Sequence, residues 1–104
     1  MSGHSHIDRW SLLMHGVIAE RIERGDPEPV RIARANLDRW RSANGSLDRA
    51  QAEWSELLML PSDRLGALLR QDGDDATRLR SNSPFAGVLD TTTRLELFHE
   101  ARGA

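Results

Sequence analysis

Two arginines, Arg78 and Arg80, lead into the segment SNSPFAGVL, and this combination is the part of the chain best suited to holding another molecule. Each guanidinium is a planar fork that binds a carboxylate or phosphate through two parallel hydrogen bonds. Pro84 limits the entropy lost when the segment is ordered, and Phe85 with Val88 can fill an apolar pocket. Arg78, Arg80, Ser83, Pro84, Phe85 and Val88 are therefore the candidate partner-binding residues. A competing expectation is equally physical: Phe85, Val88 and Leu89 cover one end of the domain's own core, with Ser83 and Asp90 serving as caps.

Other chemistry-bearing residues point to no metal, cofactor or catalytic set. His4 and His6 form an HxH pair that lacks the i,i+4 spacing and the third ligand a zinc site needs, and His15 and His99 read as ordinary helix residues. The run DGDD, residues 72–75, lacks the sixth-position glycine and twelfth-position glutamate of a calcium loop when counted from Asp72. Glu53 and Glu56 are paired carboxylates expected to face water. Nucleophilic catalysis needs a serine or threonine beside a histidine held by a third group, and spacing alone places no such set. The expectation is a binding protein, not an enzyme, with no cofactor.

Composition narrows the setting. A chain of 104 residues fits one domain with a single modest core. Without cysteine it has neither disulfide nor thiolate ligand, in keeping with a cytoplasmic location. MSGHSHID carries no charged n-region or unbroken apolar run, and no later stretch approaches a membrane span, so a soluble protein with no membrane partner is expected. All 14 basic residues are arginine, as a GC-rich bacterial genome would produce. A net charge of −2 argues against strong non-specific nucleic-acid binding.

The elements that must position these residues are helices. Ile7, Trp10, Leu13, Met14, Val17, Ile18 and Ile22 recur at steps of three and four, predicting an amphipathic helix that Gly25 ends. A second helix is predicted from Glu28 or Pro29 to Asn44, a third from a Ser46 cap to Pro61, and a short fourth from Ser62 through Leu69. A helical turn over 76–80 follows, then a turn begun by Ser83 and Pro84, and a last helix capped by Asp90. The fold predicted is an all-α single domain over residues 7–102, a bundle of five or six short helices behind a flexible terminus at 1–6. Trp10, Met14, Leu37, Trp40, Trp54, Leu58, Leu68 and Leu95 are the predicted core.

Two resemblances add expectations. The stretch QAEWSELLMLPSDRLGALL, residues 51–69, resembles a helix-turn-helix of the phage-repressor type through Gln51, Leu57, Leu58, Leu60 and Leu65, with Ser55 small enough for the helix crossing. It departs from the pattern at Met59, where the turn glycine belongs, and at Pro61. A DNA-binding regulator of this kind would use Ser62, Arg64 and Arg70, as a homodimer because one short helix makes few contacts. The chain as a whole, and RLRSNSPFAGVLDTTTRLELF above all, resembles small helical regions of bacterial toxin–antitoxin-type proteins. That resemblance implies an antitoxin-like inhibitor or scaffold whose partner is a protein, a toxin in the most concrete case.

Overall fold

In the computed structural model, which describes residues 6–103, the chain forms six helices: α1 (His6–Glu23), α2 (Glu28–Asn44), α3 (Arg49–Leu57), α4 (Ser62–Leu69), α5 (Asp74–Ser81) and α6 (Thr91–Gly103). There is no strand among the described residues. The fold is a small all-α bundle. The terminus at 1–6 lies outside the described residues except for His6, which opens α1.

Helix α1 is the hub, and α4 and α6 make their main contacts with it. Its apolar stripe buries Ile18, Ala19 and Ile22. It ends at Gly25, whose φ of 91° only glycine adopts without strain. Gly25 N–H donates to Ile22 O and Asp26 N–H to Arg21 O, the paired bonds that satisfy a helix's last carbonyls. Asp26 then starts α2: Oδ1 accepts from the Glu28 N–H at 2.9 Å and Oδ2 from Arg21 Nε at 2.9 Å. These bonds, the Glu28 amide first, hold the Asp26 carboxyl below its ordinary pKa.

The third helix starts later than its serine suggests. Asp48, not Ser46, is the cap, accepting the Gln51 N–H at 2.8 Å while the Gln51 side chain accepts the Asp48 N–H at 3.0 Å. This reciprocal pair satisfies two orphan donors at once, which Ser46 could not do because the residue three positions on is Arg49, a side chain with no acceptor. Asp90 caps α6 as expected, accepting the Thr93 N–H at 2.7 Å.

Leu37, Trp54 and Leu58 are buried, as predicted, and Met14, Trp40 and Leu68 pack half-buried against them. Leu95 is a correction: it is 52% exposed. Helix α6 turns Leu97 and Ala101 inward, and a residue two positions from Leu97 lies about 200° round the helix. Trp10 is also only half-buried, its indole N–H donating to Arg94 O at 3.0 Å.

Helix α4 approaches α1 closely enough that a Cβ at Gly66 would run into the end of the Glu23 side chain, which would have to shift from its 2.7 Å ion pair with Arg70.

Candidate functional site

The predicted partner-binding segment is woven into its own domain. Pro84 is fully buried, Phe85 is 4% exposed, and Val88 and Leu89 are also interior. The Phe85 ring meets the Trp54 ring edge-on at 5.7 Å and the His15 ring at 6.1 Å. Asn36 of α2, itself buried, donates from Nδ2 to Pro84 O at 2.7 Å and to Ala86 O at 2.9 Å. Arg21 of α1 donates to Val88 O at 3.1 Å. The segment is thus clasped from α1, α2 and α3, and Pro84, Phe85 and Val88 are not presented to a partner by this fold.

Nor does the expected helical turn form at Ser83 and Pro84. Residues 82–90 run as a non-helical bend. Ser83 Oγ accepts the Phe85 N–H at 3.2 Å, a local turn that uses the same serine a helix cap would.

The two arginines ahead of this bend are already bonded. Arg78 joins α5 to α3, reaching both Glu53 oxygens at 3.2 and 3.3 Å and Asp75 Oδ1 from Nε at 3.0 Å. Those acceptors, Glu53 first, raise its pKa further. Arg80 is 7% exposed, donating from Nη1 to Gln71 O at 2.5 Å and from Nη2 to Thr77 Oγ1 at 3.3 Å, with Asp72 at 3.7 Å. Its Nε is buried without an acceptor, the one such side-chain atom found among the described residues. An unsatisfied buried donor costs about 1–3 kcal/mol.

The helix-turn-helix residues are brought into sequence-adjacent helices but not into the expected unit. Helix α4 buries Leu65, Gly66 and Leu69 and packs chiefly on α1, with little direct contact with α3. Gln51 is spent on the α3 cap, and Arg34 Nη2 clamps Leu58 O at 3.2 Å across the turn. Arg70 is paired with Glu23, while Ser62 and Arg64 are exposed. Met59, at the turn-glycine position, is 75% exposed.

Of the histidines, His4 lies outside the described residues, and no group of three or more potential metal ligands occurs among those described. No helix among them is long and apolar enough to cross a membrane.

Two features escaped the sequence reading. First, His15 and Ser83, 68 residues apart, meet with Nε2 to Oγ at 2.8 Å, while Nδ1 lies 2.7 Å from Ser11 O. The carbonyl only accepts, so Nδ1 carries the proton, and neutral Nε2 accepts from the Ser83 hydroxyl. Burial is the main cause that lowers the His15 pKa from 6.5; the Ser11 carbonyl opposes the shift and the Arg80 charge adds to it.

Because folding disfavours the imidazolium, the stability His15 contributes is complete above 6.5 and is lost as the pH falls below it toward the depressed folded value. Urea midpoints measured between about pH 7 and pH 5 are expected to decline, with a slope of up to about 1.4 kcal/mol per unit from this group. His15→Gln should flatten that decline; an unchanged profile would refute the assignment. Asn36→Ala is expected to cost about 1–3 kcal/mol in the same assay, because the Pro84 and Ala86 carbonyls lose their donor.

Second, an apolar patch lies where α1 meets α6. The Trp10 and Phe98 rings pack edge-on at 5.0 Å, with His6 against Phe98 at 5.8 Å. Ile7 on α1 is 50% exposed and Leu95 on α6 is 52% exposed. Arg94 and Arg102 lie one turn either side of Phe98, and the Arg102 guanidinium sits 5.8 Å from that ring. The available signal was the spacing of Leu95 and Phe98 beside Leu97 and Ala101: two apolar faces on a helix with only one face against α1.

Fold and site together define a small helical bundle with an arginine-flanked aromatic patch on its outside. Comparison with protein-family models, curated proteins and solved structures gives no match, so function is argued from these residues alone.

Proposed function

We propose that this chain is a protein-binding module, acting as an antitoxin-like inhibitor or scaffold of a partner protein. The observation that supports this reading is the patch formed by Ile7, Trp10, Leu95 and Phe98, which combines half-exposed aromatic rings with exposed aliphatic side chains. Aromatic residues and arginine dominate the energetics of protein interfaces, and a contiguous apolar patch with a charged margin is the usual form of a docking site. Arg94 and Arg102 favour a partner with carboxylates around an apolar pocket. The docking role moves from residues 78–89 to the α1–α6 face because Arg80, Pro84, Phe85 and Val88 are buried and Arg78, although exposed, is paired with Glu53 and Asp75.

The alternative, a DNA-binding regulator using Ser62, Arg64 and Arg70, has less behind it. Arg70 is held by Glu23, and α4 offers one short exposed face.

The test is retention of a stoichiometric protein partner from the host, with nuclease present, by the wild type and by Arg94→Glu with Arg102→Glu. Loss of that partner in the double variant supports the reading. Retention by that variant, or loss only in Arg64→Glu together with bound nucleic acid, overturns it.

A further inference from the structure

Helix α1 has a second outward face, on the side away from the core. Arg9, Leu13, Gly16 and Glu20 follow one another at steps of four, three and four, so they form one stripe, turned away from the buried His15, Ile18 and Ile22. Arg9 and Glu20 are exposed, and between them Leu12, Leu13, Gly16 and Val17 line an open depression. Gly16 has no reason to be glycine in the single chain. It sits inside a helix, where alanine is more favourable, and a Cβ at that position would meet no atom within 4 Å.

We infer that this face joins two copies of the chain, their α1 helices packed antiparallel about a two-fold axis. The inference does not rest on the docking function and uses a stripe of α1 other than the one carrying Ile7 and Trp10.

The order of residues along the stripe selects a second copy as the occupant. A single antiparallel register sets Arg9 against Glu20 of the second copy, Leu13 against its Gly16 and Leu12 against its Val17, and the two-fold repeats each contact. The Leu13 side chain then fills the space left by the missing Cβ of Gly16, where glycine lets two backbones approach closely. A parallel pairing would instead set Arg9 on Arg9 and Glu20 on Glu20, with like charges opposed. Within its own helix Glu20 uses Oε2 to accept from Arg24 at 3.1 Å, an exposed pair that contributes little, and Oε1 remains for the incoming arginine. Of the other charges at the depression, Arg70 is held by Glu23, and Glu100 adds a carboxylate, the sign that suits that arginine.

The test is sedimentation equilibrium of the intact protein from about 1 to 200 µM, with urea denaturation of dilute samples alongside. A monomer–dimer equilibrium with a Kd on the order of 10 µM is expected. Arg9→Glu and Glu20→Arg should each weaken it at least about tenfold, and the two together should restore it, because both ion pairs re-form with reversed polarity. Both positions are exposed, so these variants should fold. Gly16→Ala should raise the urea midpoint of the dilute monomer while weakening the dimer at least about tenfold, a combination that a purely structural glycine does not give. A monomer at every concentration, which would leave the face to a different protein, overturns the proposal. So does a dimer of unchanged affinity in Gly16→Ala or in either charge reversal, or a double reversal no tighter than the single ones.

Discussion

Phe85→Ala is expected to destabilise the isolated domain by about 3–5 kcal/mol, the range for truncating a buried aromatic side chain. Total stabilities of small domains are about 5–15 kcal/mol, so the variant should be largely unfolded or close to it. The ring is 4% exposed and sits between Trp54, itself 1% exposed, and His15. Removing it empties the point where α1, α3 and the 83–89 bend converge. Neighbours cannot easily collapse into that space, because Asn36 and Arg21 hold the bend's carbonyls from two other helices. Urea denaturation of the purified protein with no partner present would measure the loss. A variant within about 1 kcal/mol of wild type would mean that Phe85 is not a core residue and would return the 78–89 segment to candidacy as a docking element.

The second large effect concerns binding. Ile7→Glu combined with Leu95→Glu is expected to leave stability nearly unchanged while weakening partner binding by at least about a hundredfold, or about 2.7 kcal/mol. Both side chains are about half exposed already, and substitutions at such positions usually change stability by about 0.5 kcal/mol or less. In a complex, however, the new carboxylates would be desolvated against an apolar pocket and would face the acidic groups that Arg94 and Arg102 favour. The urea midpoint reports the first half of this expectation and equilibrium binding to the captured partner the second. Unaltered affinity in a folded double variant would remove the α1–α6 face from consideration.

How much of this was legible in the sequence depends on how far apart the determining residues lie. The ends of α1 and α2 follow from Gly25 and Gly45, both with positive φ, and the start of α6 follows from Asp90, because caps and breakers act within a few residues. The Asp48–Gln51 capping box was present in the sequence too, and Ser46 obscured it only by being an acceptable cap in an earlier place.

Longer-range facts were hidden. Leu95 and Leu97 are equivalent by residue type, and only the placement of α6 on α1 decides which one faces water. Ser83 followed by Pro84 satisfies the rule for a helix start, but Asn36, more than forty residues earlier, holds Pro84 and Ala86 in a bend instead. Residue types marked 78–89 as special, correctly in the sense that it is densely bonded. They could not show that the bonds run inward, to His15, Arg21, Asn36 and Gln71.

The claim that the α1–α6 face docks a protein is tested most directly by site-specific photo-crosslinking in the host, with the photoreactive residue at position 95 and, separately, at position 64. The account predicts a crosslink to one protein from position 95, abolished by Ile7→Glu, and none from position 64. Crosslinks to DNA from position 64, with position 95 left unreacted, would contradict it.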